Sequence, residues 1–301
     1  VNRMKTPPVT APGSVVAIDQ MISAVPGFIA QMRGFITGKR YKVITVFVDQ
    51  FSDLSFVYTQ KSTTAEETVQ AKEAFERFAK AHQVVINHYH ADNGIFAEAE
   101  FLRAIKKANQ TISFCGVNAH HMNGHAEKRI RDLQENARSM LLHAKRRWPS
   151  AVTVNLWPYA VRMANDVHNF APSIKEGISP IERFSQVQVS PKVRHSHTFG
   201  CPVYVLDGRL QAGKRLPKWN NRARIGLFLG WSPRHSRKVA LILNLITGHV
   251  SPQFHVEFDD MFETMRPSAG NSPPLSTWQQ KAGFLDAEKE SRSKTQSTVQ
   301  A

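Results

Sequence analysis

The chain has 301 residues, 42% hydrophobic and 21% charged, which supplies a core and excludes a wholly disordered chain. Its apolar runs fall far short of the roughly 18–20 residues of a membrane span, the opening VNRMKTPPVTAPG holds no signal-peptide run, and its two cysteines, Cys115 and Cys201, form no CxxC, which excludes a disulfide framework or a Cys-rich zinc module. The net charge of +15 points to a polyanionic partner, nucleic acid above all.

Residues 1–12 are polar and Pro-rich and read as a linker. Val15–Ile18 reads as a short strand ending at Asp19. The β-branched KVITVFV (42–48) and SFVYT (55–59) read as two strands of a hairpin joined through DQFSD. Ser62, Thr63 and Thr64 offer helix caps, and Glu66 and Glu67 suit a first turn. A helix is expected from there to about Ala81, burying Val69, Phe75, Phe78 and Ala79. VVINHY (84–89) reads as a strand running into His90-Ala91-Asp92-Asn93-Gly94. A helix over about 98–108 buries Phe101, Leu102 and Ile105, and a short strand follows at 111–114. After the polar loop CGVNAHHMNG, a long amphipathic helix over about 123–144 buries Ile130, Leu133, Ala137, Leu141 and Leu142. This order predicts a mixed α/β domain. A helical extension carries Trp157, Tyr159, Ala160 and Val161. The strands PVYVL, RIGLFLGW, VALILNL and PQFHVEF then predict a small β-barrel, and a Ser/Pro/Gln/Lys-rich stretch beyond Arg266 predicts a disordered tail. The expected organisation is a linker (1–12), a core (13–170), a second linker (171–194), a basic β-rich module (195–263) and a tail (264–301).

The charge is concentrated. Lys192–Lys238 holds eleven Lys or Arg and one acid, Asp207, with Trp219, Phe228 and Trp231 among them. Cations interleaved with aromatics suit a phosphate backbone with something flat to stack on. Candidate nucleic-acid-binding residues here are Lys214, Arg215, Lys218, Arg222, Arg224, Arg234, Arg237 and Lys238. On the long helix, Arg131 is a further candidate for a backbone phosphate, while Lys128 and Arg129 are expected on the outer surface or against a second duplex.

Three acids stand out by position. Asp19 is expected at the end of the first strand, Asp92 at the end of the fourth, and Glu127 in the first turns of the long helix. Neighbouring strands would set Asp19 beside Asp92 and let the helix bring Glu127 over the same edge. Such carboxylates repel one another unless cations neutralise them, and oxygen-only donors suit Mg²⁺ or Mn²⁺. Asp49, in the hairpin turn, competes for the first position and is read as structural. His120, His121 and His125 are read as ordinary polar-loop side chains.

Together, VVAIDQMIS, VFVDQFSDLSFVY, HADNGIF and HHMNGHAEKRIRDLQENAR resemble the integrase segment of a copia-type retrotransposon polyprotein, the string from Asn123 to Arg129 most specifically. FGCPVYVLDGRLQAGKRLPKWNNRARIGLFLGWSPRHS and TGHVSPQFHVEFDD resemble the segment that follows that core, so the resemblance spans about residues 13–263. It implies an RNase H-like fold: a mixed five-stranded sheet with flanking helices, followed here by the small β-rich module, SH3-like in its strand pattern. It also implies that Asp19, Asp92 and Glu127 are the family's DDE triad, holding two Mg²⁺ or Mn²⁺ ions. Residues 93–126 separate the last two, one fewer than the family's usual 35, and Ile95-Phe96 stands where Gly-Glu often follows Asp-Asn-Gly. The implied partners are element DNA ends and target DNA, with a homo-oligomer, no membrane and no small-molecule cofactor. The implied location is cytoplasmic, then nuclear during integration. The family's upstream His/Cys zinc module, protease and reverse transcriptase regions are not in this sequence, which therefore reads as a partial or degraded element. The competing expectations are a catalytically inactive nucleic-acid-binding remnant and an RNase H-type nuclease, which normally wants a fourth acid.

Overall fold

The computed structural model describes residues 7–30, 37–115, 123–174, 176–188, 196–235, 238–265, 278, 279 and 282. Arg237, His120, His121 and most of the expected tail lie outside the described residues. The chain divides into two compact units: Val1–Pro26 with Tyr41–Ala137 and Ala164–Ser196, and Gly27–Arg40 with Arg138–Met163 and His197–Ala301.

The first unit is built on β1 (Val16–Gly27), β2 (Tyr41–Asp49), β3 (Ser55–Gln60), β4 (His88–Ala91) and β5 (Thr111–Phe114), in the sheet order β3-β2-β1-β4-β5. β2 and β3 form the expected hairpin, in antiparallel register from Val43↔Gln60 to Val48↔Ser55. Gln50, just past β2, donates to Val15, just before β1, so those two strands run in opposite directions. β4 is parallel to both β1 and β5. The crossovers are α1 (Ala65–Ala81), between β3 and β4, and α2 (Ala99–Lys107), between β4 and β5. This is the RNase H-like arrangement. α1 starts as its sequence dictates: the Thr64 side chain accepts from the Glu67 amide, and Glu66 and Glu67 face the positive end of the helix. Phe47 stacks on Phe75 with ring centroids 4.8 Å apart, over Val16, Ile18, Tyr89 and Phe101.

Three expectations are corrected here. β1 does not stop at Asp19 but continues to Gly27; beyond Asp19 the strand is half-exposed, with Met21 buried and Ile22 exposed, and its mixed polarity hid it. β4 is 88–91, not 84–89. Val84 and Ile86 are buried, but the Val84 amide bonds Ala79 at the end of α1, so this apolar run covers the helix terminus and does not pair as strand. On α1, Thr68 and Lys72 join the buried face; Lys72 is tolerated there because Glu76 lies 2.7 Å from its Nζ.

Three further helices follow: α3 (Gly124–Arg147), α4 (Trp157–Phe170) and α5 (Pro180–Ser185). α3 buries Leu133, Ala137 and Leu141 as expected, whereas Leu142 is exposed. The split between the units falls inside α3, after Ala137.

In the second unit, β6 (Pro202–Leu206), the short α6 (Gly208–Gln211), β7 (Ala223–Trp231), β8 (Ala240–Asn244), β9 (Val250–Gln253) and β10 (Val256–Phe258) give the antiparallel sheet β10-β6-β7-β8-β9. The expected single strand PQFHVEF is two strands, broken at Phe254-His255. The break closes the module. β9 and β10 form opposite edges of the sheet, yet only two residues join them, a reach of about 7–10 Å, so the sheet must curl until its edges meet. Trp278 corrects part of the expected disordered tail: it is fully buried, 5.3 Å from Phe28 between centroids, and its indole N–H donates to Ala151 at 3.2 Å.

Candidate active site and nucleic-acid interface

The parallel register of β1 with β4 pairs Ile18 with Ala91. The next residues on the two chains are Asp19 and Asp92, so these carboxylates leave adjacent strands at the same level, Asp19 within β1 and Asp92 just beyond β4. Both are half-buried. Each accepts from the amide of the following residue, Gln20 at 2.7 Å and Asn93 at 2.6 Å.

Asn123 ties the third element to this edge. Its amide donates to the Ile18 carbonyl at 3.0 Å, one residue before Asp19, and α3 begins at the next residue. Glu127 follows one turn later, half-buried. Cys115 lies just past β5. Its amide donates to Ala91, and its thiol is pushed up by burial and then by the negative charges of Asp92, Glu127 and Asp19. Among the described residues, no group of three or more His, Cys, Asp and Glu side chains stands at metal-holding spacing.

Asp49 sits elsewhere. It is fully buried beside the start of β1, accepting from the Gly13 amide at 2.7 Å and from the Ser52 amide and hydroxyl at 2.9 and 2.6 Å. Burial raises its pKa, and those donors oppose the shift. It pins the hairpin turn to the chain entering β1.

Arg129 corrects an expectation at the site. It was expected on the outer surface, but it is 8% exposed. Its guanidinium donates to both oxygens of Asp53 at 2.8 Å and lies 2.9 Å from Nδ1 of His168, whose Nε2 is 2.9 Å from the Asp53 carbonyl. Asp53 occupies the β2–β3 turn with φ 61°, so the turn, α3 and α4 meet in one polar knot. Lys128 and Arg131 are exposed on the same helix.

Of the cations expected in the basic module, Lys214, Arg215, Lys218, Arg222, Arg234 and Lys238 are exposed. Arg224 is not: it is half-buried on β7, its Nη1 is buried without a hydrogen-bond partner, and burial lowers its pKa. The aromatics separate likewise. Phe228 is fully buried, and Trp231 packs 5.4 Å from it beside Phe258 and His197.

No protein-family profile matches the chain. Solved structures similar to it include the HTLV-2 integrase catalytic core domain in complex with magnesium, in trimeric and dimeric forms. Each is 18% identical with a TM-score of 0.42, covering 58% and 59% of this chain and 97% and 99% of those chains. Another is the simian T-cell lymphotropic virus intasome in complex with the PP2A regulatory subunit B56 gamma, 16% identical, TM-score 0.43, covering 82% of this chain and 79% of that one.

Two features of the site were missed in the sequence. Asn123 carried a signal, since it opens the Asn-Gly string before Glu127. Cys115 carried none, because an isolated cysteine after a short strand looks like any small apolar residue.

Proposed function

We propose that this chain is the integrase segment of a copia-type retrotransposon polyprotein, a DDE polynucleotidyl transferase that joins element DNA to target DNA. The observation that supports it most is the register of β1 with β4, which sets Asp19 level with Asp92 while Asn123 draws the start of α3 to the same strand. The donor chemistry fits a divalent ion. The acids offer only hard carboxylate oxygens, and Asn123 Oδ1 is a further oxygen, buried without a hydrogen-bond partner, on a side chain whose amide reaches Ile18. Asp19, Asp92 and Glu127 would hold two Mg²⁺ or Mn²⁺ ions, which supply activation of the attacking oxygen and charge neutralisation at the phosphate.

Around that centre the chain's own residues position DNA. Arg131, exposed one turn beyond Glu127, holds a backbone phosphate near the scissile bond, and Lys128 serves the outer surface. The exposed cations of the second unit grip phosphates with little base readout. The chemistry is two in-line displacements: water attacks a phosphodiester near the element's end and releases a 3′-OH, and that hydroxyl attacks a target phosphodiester and expels a new 3′-OH. The reading carries a homo-oligomer and nuclear action during integration.

The test is strand transfer on short duplexes with Mg²⁺ or Mn²⁺, measured alongside DNA binding. Asp92→Asn should reduce transfer about a hundredfold or more with binding nearly intact. Strand cleavage without joining would assign a nuclease instead, and binding without either reaction an inactive remnant. Equal loss of binding and transfer would make Asp92 structural.

A further inference from the structure

Trp219 differs from every other tryptophan described. It is 96% exposed, whereas Trp148, Trp157 and Trp278 are buried and Trp231 is half-buried against neighbouring rings. It stands on a tight turn in which the Asn220 amide donates to the Pro217 carbonyl at 3.1 Å. Pro217 fixes its own backbone φ, so the turn projects the indole at reduced conformational cost. Exposed Lys214, Arg215, Lys218 and Arg222 lie within five residues on either side. The acid of this stretch, Asp207, is engaged by the Arg209 side chain at 3.1 and 3.2 Å, so it does not offset them.

An indole in water is unfavourable, and exposed cations on either side of it in the chain make a polyanion the partner that removes it. Within a paired duplex every base is already stacked on its neighbours, so an added aromatic gains little there. Where bases are unpaired, a free π-face meets the indole while the adjacent phosphates meet the cations. We infer that Trp219 stacks on an unpaired base at an opened or overhanging DNA end, and that it gives this loop a preference for such ends over continuous duplex. The inference rests on the reading of this module as DNA-binding.

The test uses the full chain and three DNA probes: a blunt duplex, the same duplex with a short single-stranded overhang, and the overhang strand alone. Titration is followed by intrinsic tryptophan fluorescence and by anisotropy of labelled DNA. The overhang duplex should bind about tenfold tighter than the blunt one and quench the acrylamide-accessible emission, which belongs chiefly to Trp219. Trp219→Ala should abolish the quench and the preference while leaving blunt-duplex affinity within about twofold, and Trp219→Phe should keep part of the preference. Trp219→Ala retaining the full preference, or wild-type emission unchanged at saturation, would overturn the inference while leaving the module DNA-binding. Failure to bind any of the three probes would overturn both readings together.

Discussion

Arg129 places a buried positive charge two residues from Glu127, with Nε buried and without a hydrogen-bond partner, so its stability depends on Asp53 and His168. Asp53→Ala should lower stability by about 1–3 kcal/mol, because it leaves the guanidinium desolvated with its main acceptor gone; the partial exposure of Asp53 keeps the effect below that of a fully buried pair. Urea denaturation measures it. Arg129→Lys, with Asp53 intact, should keep the charge but lose the two-pronged contact, and so should also lower stability. His88 gives the site unit a pH dependence. It is buried on β4 between the Thr111 and Ser113 hydroxyls, at 2.7 and 2.8 Å, and burial, then the charge of His90, lowers its pKa to about 4. Its unfolded pKa is about 6.5, so between these values the unfolded chain binds more protons. Stability should therefore be complete above about pH 6.5 and fall as pH drops toward 4, by up to about 3 kcal/mol from this residue. His168, lowered by burial and Arg129, acts in the same direction. Denaturation curves across that range check the sign, and His88→Gln should flatten the slope.

The elements show why one strand was legible and another was not. β2, β3 and β5 are nearly where their β-branched and apolar runs predicted, because each run is also the paired segment. β1 was cut short because its second half serves half-exposed positions, and a polar Gln20 whose side chain reaches Thr45 and Thr68 at 3.1 Å looks like a loop residue in isolation. The residues of the acidic edge were legible as positions, since Asp92 and Glu127 follow recognisable strand and helix signals. That Asp19 and Asp92 leave neighbouring strands level was expected only on condition that those strands pair, because the register Ile18↔Ala91 is encoded by no local pattern. Arg129 was misjudged, and Lys72 passed over, for one reason: sequence periodicity assigns charges to solvent, and only a tertiary partner reverses that. The β7–β8 pair offers a direct check on packing. A Cβ added to Gly226 would lie 2.3 Å from Ile242 Cγ2 and 3.0 Å from the Leu243 carbonyl. Gly226→Ala should cost about 1–3 kcal/mol through overpacking and lower the thermal midpoint, whereas Gly208→Ala, which meets nothing within 4 Å, should not.

At the scale of the whole molecule, the +15 charge becomes a binding prediction only once exposure is known. Six of the expected cations, Lys214, Arg215, Lys218, Arg222, Arg234 and Lys238, are exposed in the second unit, and Arg224 drops out. Six phosphate contacts imply a loss of about a thousandfold in affinity between about 50 and 200 mM salt. Anisotropy titrations at several salt concentrations test this, and a flat dependence would mean that the cations do not meet phosphates. Trp278 shows the limit of composition: the stretch around it looks featureless, yet this one ring is buried against Phe28. The join between β9 and β10 also bears on how the second unit assembles. Its last strand, three residues long, completes the sheet by pairing with its first, Val256↔Val205 through Phe258↔Val203. That contact spans nearly the whole module, so its closure is expected late in folding, after the local hairpins have formed. A chain ending before Val256 would keep four strands but leave the amides and carbonyls of 202–206 as an unprotected border, a template for a neighbouring chain to add its own strand. Such a truncation should therefore show itself as concentration-dependent association in sedimentation or light scattering before it shows as lost secondary structure.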